Sequence, residues 1–332
     1  MKLLYLLESL RTPAGDWLMS GITHLGGETA FLAVAIFIFW CVDKHEGYYL
    51  LTVGFLGTVL NQFLKLLCRI PRPWVLDPDF TIVESARAEA TGYSFPSGHT
   101  QNAVGTFGGI ARATKRHCLR WVCVVIFVLV SFSRMYLGVH TPLDVGVSFV
   151  IAAVLVFAIY PLMRRADRYP RLMAGLLASM VLLSAAYLTF TLVYPFPPDI
   201  DSANLASGVE NGWKLLGATL GIALAWWLDR QYVRFETKAI WWVQAIKFIV
   251  GLALVVALKA GLKAPLIALF GGSAGPAGAV RYFLVVLAAG VMVWVALAQL
   301  LPGALHPAHR TAGILGAAVG CLLMLLGIAA LP

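Results

Sequence analysis

The stretch Ser133–Met163, SRMYLGVHTPLDVGVSFVIAAVLVFAIYPLM, decides how the rest of the chain is read. From Pro142 to Met163 it is almost wholly apolar and long enough to cross a bilayer, which takes about 20 mostly apolar residues. Its start is chemically marked. Thr141 has the type of an N-cap, Pro142 suits the first helical position, and Asp144 falls at the third, the place of the capping-box acid. That start leaves His140 just outside the helix, with a carboxylate folded back towards it, and puts Arg134 at the end of the preceding apolar run. Charge at membrane depth is costly, so such groups gathered at a span end are a functional-site hypothesis by default.

Working outward with the same ruler gives spans near residues 26–43, 47–69, 98–114, 119–138, 142–163, 172–194, 212–229, 239–260, 280–301 and 311–331. The expected fold is therefore all-α, a polytopic transmembrane bundle of about ten spans. Composition agrees: the 332 residues are 60% hydrophobic and 12% charged, against about 25% charged in a soluble domain. The third span is the most polar at its start, Gly98-His99-Thr100-Gln101-Asn102, and needs neighbouring helices to bury that start. Gly105, Gly108 and Gly109 give it a small-residue face for close helix packing. The connection Ile70–Ser97 and the Gly/Pro-rich stretch Lys263–Gly278 are candidates for interfacial or re-entrant segments.

The formal net charge of +9 sits in short loops between apolar runs, which argues for membrane orientation and anionic lipid and against nucleic acid as a partner. Alternating the spans puts Lys65–Pro73, Pro96–His99 and Ser133–Asp144 on one membrane face. The opposite loops hold Arg112, Lys115, Arg116, Arg120, Arg164, Arg165, Arg168, Arg171, Arg230, Arg234 and Lys238. By the positive-inside rule the motif face is extracytoplasmic, in a multi-pass protein of the cell membrane. Lys259, Lys263 and Arg281 run against that pattern. Leu3, Leu4, Leu7 and Leu10 recur at helical spacing, so the N-terminal stretch reads as an interfacial amphipathic helix and not a cleaved signal. Cys41, Cys68, Cys118, Cys123 and Cys321 have no metal-ligand spacing and read as free thiols.

The chemistry lies in the three stretches. Asp144 accepting from one nitrogen of His140 would orient the ring and leave the other nitrogen free to attack. His140 is the candidate nucleophile, with a phosphohistidine as intermediate. Ser97 and Gly98 open a helix whose free N–H groups suit a phosphate, and His99 is placed to protonate a departing oxygen. Arg72 and Arg134 are candidates to clamp equatorial oxygens bidentately, with Lys65 adding a point charge. Such donors stabilise charge developing in the transition state. The scheme calls for no metal and no cofactor. Taken singly, each residue has a plainer reading: a structural His, a snorkelling Lys65 or Arg69, a helix start at Thr141-Pro142, a turn at Ser97-Gly98. Their coincidence on one face is what singles them out.

Lys65-x6-Arg72-Pro73, Pro96-Ser97-Gly98-His99 and Ser133-Arg134-x5-His140-x3-Asp144 resemble the tripartite signature of the type 2 phosphatidic acid phosphatase superfamily of membrane lipid phosphatases. The likeness covers roughly residues 25–195. It implies a six-helix-like core in residues 1–195, with His140 as nucleophile, Asp144 assisting it and His99 protonating the leaving group. It also implies that Lys65, Arg72, Ser97, Gly98 and Arg134 hold the phosphate. Residues 196–332 would add four transmembrane helices of unassigned role. Their polar residues, Glu210, Lys214, Gln244, Lys247, Lys259 and Gln299, form no second catalytic pattern. Lys247, mid-span, must face a bundle interior or cavity.

The function expected is metal-independent hydrolysis of a lipid phosphate or diphosphate. Undecaprenyl diphosphate, phosphatidic acid, phosphatidylglycerophosphate and sphingoid or isoprenoid monophosphates are all open, as is the oligomeric state. A lipid phosphotransferase using the same phosphohistidine is the alternative, followed by a lipid transporter. A vanadate haloperoxidase shares a similar signature but is a soluble protein.

Overall fold

The computed structural model describes residues 1–166, 168–234 and 236–253, and the regular elements among them are all helices. The chain divides into two compact units, residues 1–39 with 43–215, and residues 40–42 with the chain from 216. The three motif stretches lie in the first.

That unit opens with α1 (Lys2–Ser9), α2 (Pro13–Thr23) and α3 (Glu28–Phe37), and the π-helical turn that follows α3, Ile38–Val42, runs into residues 40–42 of the second unit. Thr12 caps α2 through its hydroxyl and Pro13 takes the first helical position, as expected where the N–H has no acceptor. The sequence places a single span over 26–43. In the structure the apolar stretch begins earlier and is bent, Pro13–Gly26 and Glu28–Val42 meeting at 52°, the geometry of a broken span or of a re-entrant loop. Gly26 sits at the elbow, where an added Cβ would lie 2.7 Å from the His99 carbonyl oxygen and 2.5 Å from a Val130 methyl. In α1, Leu4 and Leu7 are buried while Leu3, and Leu10 just after the helix, are exposed. Leu4 packs with Phe80 and Ile82, so part of the apolar face read as interfacial is covered by protein.

The longest spans follow. α4 (Lys44–Cys68) is capped by Asp43, which accepts from the His45 and Glu46 N–H groups, and it stops at Arg69 in the left-handed conformation (φ 51°). The short α5 (Pro73–Leu76) follows. α6 (Gly98–Ala103), a π-helical turn (Val104–Gly108) and α7 (Gly109–Ala113) run on without a break. α8 (His117–Tyr136), α9 (Pro142–Ala166) and α10 (Pro170–Val193) complete the bundle. α4 packs against α9, α10 and α6, and α6 packs against α8 and α9. In α4, 61% of the apolar window is buried against 28% in α8 and α9, so α4 is the central helix and the others turn a side to lipid. The polar start of α6 is inside, with Thr100 and Gln101 buried. Gly57 of α4 makes room for it, since a Cβ there would come within 2.5 Å of the Gln101 amide nitrogen.

Four helices among the described residues are long and apolar enough to cross a membrane, α4 (with its extension to Leu76), α8, α9 and α10, or five if the bent α2–α3 pair is one span. α11 (Ser202–Leu228) starts ten residues before the expected 212 and is not among them. Asn204, Glu210, Asn211 and Lys214 keep its first half polar. The span expected at 239–260 is described only as the helix Trp241–Ala253. The spans expected at 280–301 and 311–331, the stretch 263–278, and Lys259, Arg281, Gln299 and Cys321 lie outside the described residues.

Candidate active site

The start of α9 builds the first half of the site. Asp144 accepts from the Thr141 backbone N–H (2.8 Å) and the Thr141 hydroxyl accepts from the Asp144 N–H (3.3 Å), a reciprocal capping box. The same carboxylate oxygen, Oδ2, accepts a 2.6 Å hydrogen bond from the Ser94 hydroxyl and stands 3.4 Å from His140 Nδ1. Both His140 and Asp144 are buried. Gly138, at φ +81°, makes the turn between α8 and His140. A Cβ there would meet Arg11 Nη2 at 2.7 Å and the Phe80 ring at 3.0 Å, so the loop is pressed from outside by the N-terminal segment. Arg11 also donates to the carbonyls of Tyr136 and Thr81.

The second motif joins this directly, as the Ser97 N–H donates to the Asp144 carbonyl at 3.2 Å. Ser97 is buried and caps α6, its hydroxyl accepting from the Thr100 N–H. Gly98 is not forced by protein packing, since a Cβ there would meet only Asn61 Oδ1, at 3.8 Å. Its bareness suits a ligand approaching the backbone. His99 Nε2 lies 3.2 Å from Glu89 Oε2, and Glu89 Oε1 lies 2.9 Å from His24 Nδ1.

The cations divide in a way the sequence does not disclose. Lys65, buried near the end of α4, donates to the Tyr93 carbonyl (2.5 Å). Arg72 spends its donors on the carbonyls of Gly92, Val139 and Thr91, and its Nη1 also stands 3.1 Å from His140 Nε2. Arg134 has no accessible surface and a single protein partner, the Thr23 hydroxyl at 2.7 Å from Nη1. Its Nε and Nη2 are buried with no acceptor. Buried donors left unpaired are costly, and Arg134 leaves two of them at this site. Arg72 and Arg134, read alike from sequence, are a loop tie and an open fork in this structure.

Electrostatics follow from that crowding. Burial first, and then the charges of Arg72, Arg134, Lys65 and His99, hold His140 well below the ordinary imidazole range, so it is neutral at pH 7. Glu89 is pushed down to about 2, chiefly by its hydrogen bond with His99 and further by the charge of His24, with partial burial opposing. Among the described residues no three His, Cys, Asp or Glu side chains gather to hold a metal ion.

The structure thus brings Lys65, Arg72, Ser97, Gly98, His99, Arg134, His140 and Asp144 into one neighbourhood. It adds Thr23, His24, Glu89 and Ser94, which no spacing in the sequence marks.

Apolar helices around paired imidazoles and a surplus of buried cations define a membrane enzyme acting on an anionic group. Comparison with known proteins gives its kinship. Residues 46–168 match the model of the PAP2 superfamily, and residues 213–296 match that of the PAP2 superfamily phosphatase transmembrane extension. Phosphatidylglycerophosphatase B of Bacillus subtilis (strain 168) is 31% identical over 165 residues, 45% of this chain and 76% of that protein. Undecaprenyl-diphosphatase BcrC of the same organism is 34% identical over 133 residues, 40% of this chain and 65% of that protein. A probable sphingosine-1-phosphate phosphatase of Dictyostelium discoideum is 27% identical over 243 residues, 68% of this chain and 57% of that protein. The chain spans less than two thirds of the length of the latter two. No solved structure matches it. The chain belongs to the PAP2 superfamily, as a membrane phosphatase of the phosphoric ester hydrolase class.

Proposed function

We propose that this protein hydrolyses a lipid phosphate or diphosphate without a metal ion, through a phosphohistidine on His140. The observation that carries the reading is a neutral, buried imidazole between Asp144 and Arg72, beside the unfilled donors of Arg134.

The phosphoryl group binds at Arg134 Nε and Nη2, at the Ser97 hydroxyl and at the Gly98 backbone N–H, with Lys65 adding charge. Arg72 Nη1 stands on the nitrogen that attacks, so an arriving phosphate draws it away and frees the lone pair. His140 Nε2 then attacks phosphorus, the P–N bond forms, and the P–O bond to the lipid breaks. The departing oxygen takes a proton from His99. Asp144 steadies the positive charge on His140, as a carboxylate does for an imidazole in other nucleophilic enzymes. In the second half water attacks phosphorus, gives its proton to His99, and phosphate leaves as the P–N bond breaks.

The substrate is amphiphilic, because the site lies among apolar helices that accept an acyl or prenyl tail. The names of the relatives point to phosphatidylglycerophosphate, undecaprenyl diphosphate and sphingosine 1-phosphate as the compounds to try, with phosphatidic acid beside them. The asymmetry of Lys and Arg between loops supports a site on the extracytoplasmic side of the cell membrane. We place the catalytic core in residues 1–195, six-helix-like, with residues 196–332 adding helices towards about ten spans.

The test is phosphate release by the purified full chain in detergent or vesicles across prenyl, glycero- and sphingolipid phosphates, with and without chelator. Release from at least one lipid, unaffected by chelator and abolished by His140→Ala, is expected. Activity surviving in His140→Ala, or loss on chelation restored by Mg²⁺, overturns the scheme. An absolute need for an acceptor lipid makes the protein a phosphotransferase.

A further inference from the structure

We propose that Glu89, held from its far side by His24, is the positioning residue for His99, so that the elbow between α2 and α3 is part of the catalytic apparatus. The proposal rests on the phosphohistidine reading and deepens it.

Glu89 comes from the irregular connection between α5 and α6, yet its place is determined. Ala86 and Ala90 on either side are buried in one cluster with Tyr136, Leu137 and Val139, and the Val83 N–H donates to the Leu137 carbonyl at 3.1 Å. The backbone bearing Glu89 is thus packed on the loop that carries His140. Its two oxygens are shared between imidazoles from different elements, Oε2 with His99 Nε2 at 3.2 Å and Oε1 with His24 Nδ1 at 2.9 Å. A carboxylate anchored through one oxygen holds the other still, which fixes the plane and the tautomer of the ring it faces.

The elbow reaches the site at three nearly consecutive positions. Thr23 accepts from Arg134, His24 pairs with Glu89, and Gly26 lies so close to the His99 carbonyl that no side chain fits. Such a constellation orders both a phosphate donor and the proton donor from outside the motif helices.

The chemistry is specific. Glu89 is ionised throughout the working pH range and accepts from His99 Nε2–H, leaving Nδ1 to carry the proton passed to the departing oxygen. Burial is the largest influence on His99 and disfavours its charged form, Arg134 and Arg72 add to that, and Glu89 alone opposes them. Glu89 supplies the negative charge that an imidazolium beside two guanidiniums requires, and takes no proton itself. When the P–O bond breaks, the proton moves from Nδ1 to oxygen and the ring is neutral. When water attacks the phosphohistidine, its proton returns to Nδ1.

The test uses the full chain and two substrates of unlike leaving group, an alkyl lipid phosphate and p-nitrophenyl phosphate. Glu89→Gln is expected to lower kcat on the alkyl ester by about 100-fold, with KM nearly unchanged, while the burst of nitrophenolate falls by less than roughly threefold, since a good leaving group needs no acid. His24→Ala is expected to show the same split at smaller size, about fivefold. Glu89→Asp is read in the same way should the Gln variant fail to express. Equal losses on both substrates, or none on either, overturn the proposal and leave the phosphohistidine reading standing. A His140→Ala variant that retains the nitrophenolate burst sinks the underlying reading instead.

Discussion

The site contains two imidazole–carboxylate pairs built by opposite means. His140 and Asp144 are neighbours on one helix start, buried to 2% and 1% side-chain exposure, with the carboxylate tied by the Thr141 N–H and the Ser94 hydroxyl. His99 and Glu89 come from a helix and an irregular loop, at 16% and 37% exposure, and the carboxylate is tied by an imidazole, His24, that is itself 66% exposed. The first pair is local and dry, as suits the nucleophile proposed for His140, whose lone pair must stay aimed. The second is assembled over long range at the edge of water, as suits the proton donor and acceptor proposed for His99.

Asp144→Asn is the strongest way to break this contrast. It keeps the shape and loses the charge, and kcat is expected to fall on the order of 10³–10⁴-fold. Single-turnover labelling with radioactive phosphate checks it, because the phosphoenzyme should form slowly rather than accumulate. Arg134→Lys comes next and touches both pairs. Replacing the open fork with a point charge should lower kcat/KM by roughly 10²-fold, with the Ki for inorganic phosphate rising in parallel. Ser94→Ala sharpens the comparison most gently. Removing one hydrogen bond to a buried carboxylate should cost about 1.5–3 kcal/mol, and kcat should fall by on the order of tenfold to a hundredfold while the thermal midpoint drops. If Ser94→Ala leaves kcat untouched, the rigidity assigned to the first pair is not what the enzyme relies on.

Much of the site was legible because its parts are local. The type of Thr141, the ring of Pro142 and the spacing to Asp144 are sufficient to specify a capping box, and the structure contains it. Ser97 as the cap of α6 is a similarly short-range matter. Other features were not legible. Glu89 stands ten residues before His99 in a stretch without periodicity, and His24 is 65 residues from Glu89. Only packing brings them together. The two arginines could not be separated either, since a guanidinium looks the same in sequence whether carbonyls meet it, as at Arg72, or none do, as at Arg134. The 52° bend between α2 and α3 escaped for a related reason. Hydropathy measures apolar length and is blind to Gly26 pressed against α6 and α8.

By itself the sequence determined that this chain is a helical membrane protein with three chemically marked helix ends, because burial of apolar residues in lipid and satisfaction of backbone groups act over one or two turns. Tertiary structure alone decided which oxygen faces which imidazole and which arginine keeps free donors. Those depend on atoms distant along the chain meeting within 3.5 Å, and where they meet in a dry interior, as around Arg134, a charge without a partner costs more than local sequence can offset.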